Sequence, residues 1–311
     1  MQLLLPLTTL ATVASATVGI LLPIYRYPIN EGKLEWDAVA TVAGTYSKLP
    51  FYVIINNGGG PPYSKNPPDN LIDWADPMGA LNSKSNVRSL GYIATTFGAR
   101  PIAEVKTGID QYAAWTTLTG WSGAVNDVSV DGIFFDEVDT DPKYLDYNKE
   151  ISRYARQVLS ARPGATGAIV VLNPGVPVNS GSNELFEVAD AIVQIETCHA
   201  PNSAAGGALD PDGKPRCPVT PKYTPFKPES LDAIKTEHAA HSAVIVHDFY
   251  DSWDPYTPAP LATLEADVNA IVKKGVHSFY VTQYGYTANF TQEPASISTV
   301  AKLAAQAQGL S

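Results

Sequence analysis

The stretch Asp131-Gly132-Ile133-Phe134-Phe135-Asp136-Glu137-Val138-Asp139 decides how this chain is read. A short β-branched and aromatic run between turn residues has the composition of a strand buried on both faces. It ends abruptly in acids, with Asp136, Glu137 and Asp139 within four positions. An unpaired carboxylate costs on the order of several kcal/mol to bury. Stability alone does not explain three of them where a core strand leaves the interior, so Asp136 and Glu137 are read as the centre of a site.

Working outward from this strand, buried runs and helical periodicities alternate along the whole chain. Strands are predicted at 18–25, 51–56, 90–95, 131–136, 168–172, 191–196, 244–248 and 278–283. Helices are predicted at 35–49, 70–81, 108–118, 142–161, 184–189, 228–241, 261–274 and 297–308. Alternating β and α elements build a parallel sheet with helices outside it. Eight units without a composition break predict a single α/β domain over residues 17–311, a closed (β/α)8 TIM barrel. No G-x-G-x-x-G follows the first strand, which argues against an open dinucleotide-binding sheet.

Such barrels place chemistry at the C-terminal ends of the strands. Polar and aromatic residues gather at those ends here: Tyr25 and Arg26, Asn56, Asp136 and Glu137, Asn173, Glu196, Asp248 with Tyr250 and Trp253, and Gln283 with Tyr284. The strand starts are apolar or turn residues. Carboxylates, aromatics and amides without a cofactor motif point to carbohydrate: ring faces stack on Tyr and Trp, and amides bond hydroxyls. No metal or cofactor is expected.

Cleaving a glycosidic bond takes two carboxyl groups, one protonating the leaving oxygen and one attacking the anomeric carbon or activating water. Asp136 and Glu196 are the expected pair. Alternation along a strand puts Phe134 and Asp136 on one face, Phe135 and Glu137 on the other, and Gln194 beneath Glu196. Asp136 is read as nucleophile or charge stabiliser and Glu196 as general acid/base. Glu137 is read as a positioning or sugar-binding group, with exchange of roles between Asp136 and Glu137 left open. A carboxyl separation near about 5 Å would mean retention of configuration, and about 6.5–9.5 Å inversion.

The chain has 311 residues, 45% hydrophobic and 17% charged, with a formal net charge of −10. That is a globular composition, and the sign disfavours nucleic acid. It suits a neutral or cationic polysaccharide. Residues 1–16 read as a secretory signal peptide, with an apolar stretch from Leu3 to Val13 and Ala14-Ser15-Ala16 before a mature start at Thr17. No other apolar run approaches a membrane span. A secreted, extracellular or wall-associated monomer is expected. Cys198 and Cys217, 18 residues apart in between, suit a disulfide worth roughly 3 kcal/mol. Asn289-Phe290-Thr291 is an N-glycosylation sequon.

Other readings fit less well. A zinc deacetylase would gather His and Asp at the rim, whereas His238 and His241 precede the seventh strand and His247 and Asp248, adjacent on it, are expected to face opposite ways. No G-x-S-x-G supports a serine hydrolase. Asp210-Pro211-Asp212-Gly213 lacks the later ligands of a calcium loop. A non-catalytic carbohydrate-binding or spore-wall protein on the same barrel would keep the rim aromatics without a working acid pair.

The chain also resembles a known family. Gly19-Ile20-Leu21-Leu22-Pro23-Ile24-Tyr25, Phe51-Tyr52-Val53-Ile54-Ile55-Asn56 with Gly58-Gly59-Gly60-Pro61, Gly91-Tyr92-Ile93 with Thr95, the 131–137 run, Leu172-Asn173-Pro174-Gly175 and Glu196 together are similar to the spherulin-4 family, glycoside hydrolase family 135. The resemblance implies a secreted barrel hydrolase acting endo-wise on α-1,4-linked N-acetylgalactosamine in galactosaminogalactan. It maps the family's acids onto Asp136, Glu137 and Glu196.

Overall fold

In a computed structural model, residues 16–30, 33–56, 72–165, 167–199, 224–250, 257–283 and 290–310 are described. Most of the predicted signal lies outside them, as do Cys217, Trp253, Tyr284 and Asn289.

Eight parallel strands close into a barrel. They are β1 (Gly19–Ile24), β2 (Phe51–Ile55), β3 (Val87–Ala94), β4 (Gly132–Asp136), β5 (Ile169–Leu172), β6 (Ala191–Cys198), β7 (Ser242–His247) and β8 (Ser278–Val281). Each pairs in parallel with its sequence neighbours, and β1 closes on β8 through Gly19 against Ser278 and Ile20 against Phe279. The helices are α1 (Asp37–Thr45), α2 (Ile72–Asn82), α3 (Ile102–Ala113), α4 (Leu145–Ser160), α5 (Leu185–Val188), α6 (Leu261–Lys274) and α7 (Ile297–Ala307). This is the predicted architecture.

Two hydrophobic layers hold it. Inward-pointing Leu21, Ile54, Leu90, Phe134, Val171, Val193, Ala243 and Ile245 fill the barrel. The other strand face meets the helices through residues such as Ile133, Phe135, Leu172 and Val244. On α6 the buried residues Leu264, Val268 and Ile271 recur at the helical period. Gly275 ends that helix at φ 73, a left-handed geometry that glycine adopts without a Cβ clash. Asp141 starts the segment before α4 by accepting from the Lys143 N–H at 3.0 Å, with Pro142 next in line.

Two helices differ from expectation. The predicted 108–118 helix runs instead over Ile102–Ala113, starting right after Pro101. The following β-branched residues form a hairpin, Thr117–Thr119 with Val125–Asp127, turned at Gly123 with φ 79. The predicted 228–241 helix is two 3-10 segments, Pro228–Ala233 and Thr236–His241. Between them Ile234 takes extended backbone and buries its side chain, which breaks the helical run.

Candidate active site

The expected acids meet at the C-terminal mouth of the barrel. Asp136 ends β4 on the inward face above Phe134. Its Oδ2 accepts from the Tyr92 hydroxyl at 2.6 Å and its Oδ1 from the Asn173 amide at 2.8 Å. The same Asn173 nitrogen donates to Glu196 Oε2 at 2.7 Å. One amide therefore bridges the two carboxylates. Asn173 is itself fixed, because its Oδ1 accepts from the Gly175 N–H at 3.0 Å. Gly175 sits at φ 66, and a Cβ there would stand 3.4 Å from Glu196 Oε2. A side chain at that turn would thus crowd the acid as well as strain the backbone.

Glu196 reaches the mouth by a route that alternation did not anticipate. A bulge between Val193 and Ile195 shifts the register of β6 against β7. Val193 points inward, Gln194 turns away to donate to the Ser242 hydroxyl, and Ile195 joins the outer layer. Glu196 then lies opposite inward-facing Ile245. The expected Gln194 beneath Glu196 is therefore incorrect: Val193 occupies that place. Without the extra residue, strict alternation from Val193 would have aimed Glu196 outward.

Two further residues break the alternation. Glu137 follows β4 at φ 53, a left-handed value unfavourable for a side chain with a Cβ. Its carbonyl is held there by the Thr95 hydroxyl at 2.8 Å and the Phe97 N–H at 2.7 Å. Its charge acts on the Tyr92 hydroxyl, so it borders the same cluster. Asp248 follows β7 at φ 52. It does not face away from His247 as expected, because its Oδ2 lies 2.6 Å from His247 Nδ1.

Electrostatics separate Asp136 from an ordinary surface carboxylate. Burial first, and then the charge of Glu196, push Asp136 up to about 6, against the lowering effect of the bonds from Tyr92, the Glu137 N–H and Asn173. Tyr25, at the end of β1, packs edge-on against Tyr92 with ring centroids 5.5 Å apart. Its hydroxyl is pushed well up by burial and by the charges of Asp136 and Glu196. Both phenols stay neutral, and Tyr92 donates to Asp136.

Other expected residues stand elsewhere. Arg26 is paired with Glu35 at 2.7 Å, holding the segment between β1 and α1. Asn56 follows the end of β2, half-buried. Tyr250 is buried, with its carbonyl 3.3 Å from His199 Nδ1. Gln283 is buried and donates to the Phe249 carbonyl at 2.6 Å. Cys198 is buried at the end of β6, and the pairing expected with Cys217 falls outside the described residues. Tyr92 was absent from the candidate set, although its place two residues from Leu90 and Ala94 puts it on their inward face.

A cavity of about 770 Å³ lies at the other end of the barrel, lined by Arg88, Asp131 and Arg162 among others. Size does not mark it as the reacting site: its Asp131 is bonded to the Ser89 N–H and faces two guanidiniums that oppose the upward push of burial. Among the described residues, no helix is long and apolar enough to cross a membrane, and no group of three His, Cys, Asp or Glu is gathered for a metal ion.

Comparison with known proteins places the chain in a family. The model of Spherulation-specific family 4 matches residues 19–304, and the chain belongs to that family. Spherulin-4 of Physarum polycephalum is 28% identical over 178 residues, 57% of this chain and 45% of that relative, so the match spans less than half of its length. Among solved structures, Sph3 of Aspergillus clavatus, determined in complex with GalNAc, superposes with a TM-score of 0.66 at 25% identity, covering 93% of this chain and 98% of that one. The endo-1,4-beta-mannanase of Rhizomucor miehei shares the fold, with a TM-score of 0.52 at 11% identity over 94% of this chain and 95% of the other.

Proposed function

We propose that this chain is a secreted, endo-acting glycoside hydrolase that cleaves α-1,4-linked N-acetylgalactosamine in a galactosaminogalactan-type polysaccharide. The observation that carries the reading is the Asn173 nitrogen shared by Asp136 and Glu196. Burying two acids against one amide is costly, and it is useful where two carboxyl groups must flank one bond. Support for the sugar comes from the Aspergillus clavatus relative solved with GalNAc. The net charge of −10 suits a polymer that is neutral or carries free amines.

The same bridge supports a retaining course. Two oxygens bonded to one nitrogen at 2.8 and 2.7 Å cannot lie further apart than the sum of those lengths. That limit matches the separation of about 5–5.5 Å for retaining enzymes, below the roughly 6.5–9.5 Å of inverting ones. Asp136, surrounded by donors, is the nucleophile. Glu196 takes the general acid/base role.

In the first step the Glu196 carboxyl protonates the leaving glycosidic oxygen while Asp136 attacks the anomeric carbon, giving a covalent glycosyl-enzyme. In the second, the Glu196 carboxylate takes a proton from water as that water attacks the same carbon, and Asp136 is released. Tyr92 and Asn173 hold Asp136 in line. Glu137, at the edge of the cluster, positions Tyr92 or contacts the sugar.

The test is mass spectrometry of products from galactosaminogalactan and from chitin, using the wild-type protein, Asp136→Asn and Glu196→Gln. The reading predicts short N-acetylhexosamine oligomers from the first polymer alone, and none from either variant. Binding without cleavage would instead make the protein a carbohydrate-binding module, and activity surviving in either variant would remove that residue from the catalytic pair.

A further inference from the structure

A second aromatic cluster lies at the edge of the mouth, apart from the acids. Tyr27 follows Tyr25 by two residues, so its Cα lies within about 7 Å of that residue's Cα. The Tyr27 hydroxyl donates to Asp73 Oδ2 in the first turn of α2. The other oxygen of the same carboxylate, Oδ1, accepts from Trp121 Nε1 at 2.6 Å. Trp121 stands at the tip of the hairpin that packs along α2. One carboxylate thus orients two aromatic rings that are distant in sequence.

Packing does not account for these rings. Trp121 is 68% exposed and Tyr27 45% exposed, whereas the three other described tryptophans are buried. Yet the hairpin tip is held firmly. Asp76, one turn along α2 from Asp73, accepts from the Ser122 N–H at 2.9 Å and hydroxyl at 2.6 Å, and from the Asn126 amide at 2.8 Å. A Cβ on Gly120 would sit 2.1 Å from that carboxylate, so only glycine lets the tip approach so closely. Below, Tyr27 leans edge-on against Trp74, which leans edge-on against Trp36, at centroid distances of 6.0 and 5.1 Å. The exposed rings are therefore anchored to the core and to a fixed hairpin. An exposed aromatic face that is already ordered loses little freedom when it takes a ligand.

We infer that Tyr27 and Trp121 form a distal sugar-stacking platform, held by Asp73, that binds pyranose units of the polysaccharide a short way along the chain from the bond cleaved at Asp136 and Glu196. The inference deepens the proposed function and rests on its carbohydrate reading. Pyranose rings present flat apolar faces suited to Trp and Tyr. The negative carboxylate between the rings favours a neutral or amine-bearing sugar and disfavours a uronic acid. A platform removed from the acids would matter for long chains and not for short ones, which is what endo action on a polymer uses.

The experiment is affinity electrophoresis in gels containing galactosaminogalactan, with cleavage measured in parallel on the polymer and on its short oligomers. Trp121→Ala is expected to weaken retardation and raise KM for the polymer about tenfold, with kcat on short oligomers unchanged. Trp121→Phe keeps a ring and is expected to recover much of the binding. Asp136→Asn is expected to lose cleavage and keep full retardation. Equal retardation of wild type and Trp121→Ala, or no retardation of wild type, would overturn the platform. Retardation that depends on Trp121 without any cleavage would support the platform while removing the hydrolase reading.

Discussion

The two ends of the barrel handle charge in opposite ways. At the N-terminal floor, charges are matched. Asp190 pairs with Arg156 at 2.9 Å and also accepts from the Val170 N–H at 2.7 Å. Arg156 further donates to the carbonyls of Ala168 and Val188. Asp131 is bonded to the Ser89 N–H and faces Arg88 and Arg162. At the C-terminal mouth, acid faces acid across an amide, and Arg26 is engaged by Glu35. Backbone strain follows the same division. The four described non-glycine residues with left-handed φ, Thr96, Phe97, Glu137 and Asp248, all follow the C-terminal ends of β3, β4 or β7. The floor is arranged for stability, while the mouth holds charge and conformation that stability alone would remove.

This contrast can be broken most sharply at Asn173. Asn173→Ala removes the donor shared by the two acids and leaves its backbone bonds with Phe135 and Val138 in place. The expected result is a fall in kcat/KM of about 10²–10³-fold with little change in Tm, comparable to losing an oriented donor at a reacting centre. Since the Asn173 bond lowers the proton affinity of Asp136, the acid limb of the pH–rate profile should also move to higher pH. A kcat/KM within a few-fold of wild type would mean that the bridge is only structural.

At the floor the expectation reverses. Arg156→Ala leaves Asp190 without its cation and two carbonyls without their donor. A loss of about 2 kcal/mol in denaturant unfolding is expected, discounted because both side chains are partly exposed. Specific activity of the folded fraction should be unchanged.

The smallest effect sharpens the comparison through pH. Burial and Glu196 raise the proton affinity of Asp136 to about 6 in the folded chain, above the ordinary carboxylate range. The group therefore favours folding while protonated, and that contribution is lost as pH rises from about 4 through about 6. Asp136→Asn should accordingly be more stable than wild type at pH 7, by about 1–2 kcal/mol, with the gain vanishing near pH 4. Thermal melts across that range measure it. A nucleophile must be ionised, so wild-type kcat/KM should fall as pH drops below about 6.

Most of the fold was legible because its signal is periodic. Eight apolar runs separated by helical stretches gave all eight strands, and the 261–274 helix has the predicted bounds. The misread helices fell where other forces won: Pro101 set the start of α3, and β-branched residues with a Gly123 turn made a hairpin of its predicted end. The positions of Asp136, Glu196 and Asn173 at one mouth followed from their places at strand ends.

What alternation could not give is where each of these side chains points. The bulge at Gln194 and the left-handed turns at Glu137 and Asp248 each reset the two-residue period. None has a glycine to announce it. They are held by contacts distant in sequence, such as Thr95 and Phe97 on the Glu137 carbonyl. Trp121 was equally hidden, since its partner Asp73 lies 48 residues away.

The central claim is that Asp136 and Glu196, bridged by Asn173, act on opposite sides of one glycosidic bond at retaining distance. It is tested most directly by proton NMR of galactosaminogalactan in the first minutes of cleavage, before mutarotation scrambles the new reducing ends. The account predicts that the α-anomer appears first and the β-anomer only later. A β-anomer formed first would contradict it, because inversion needs room for a water that the shared amide does not leave.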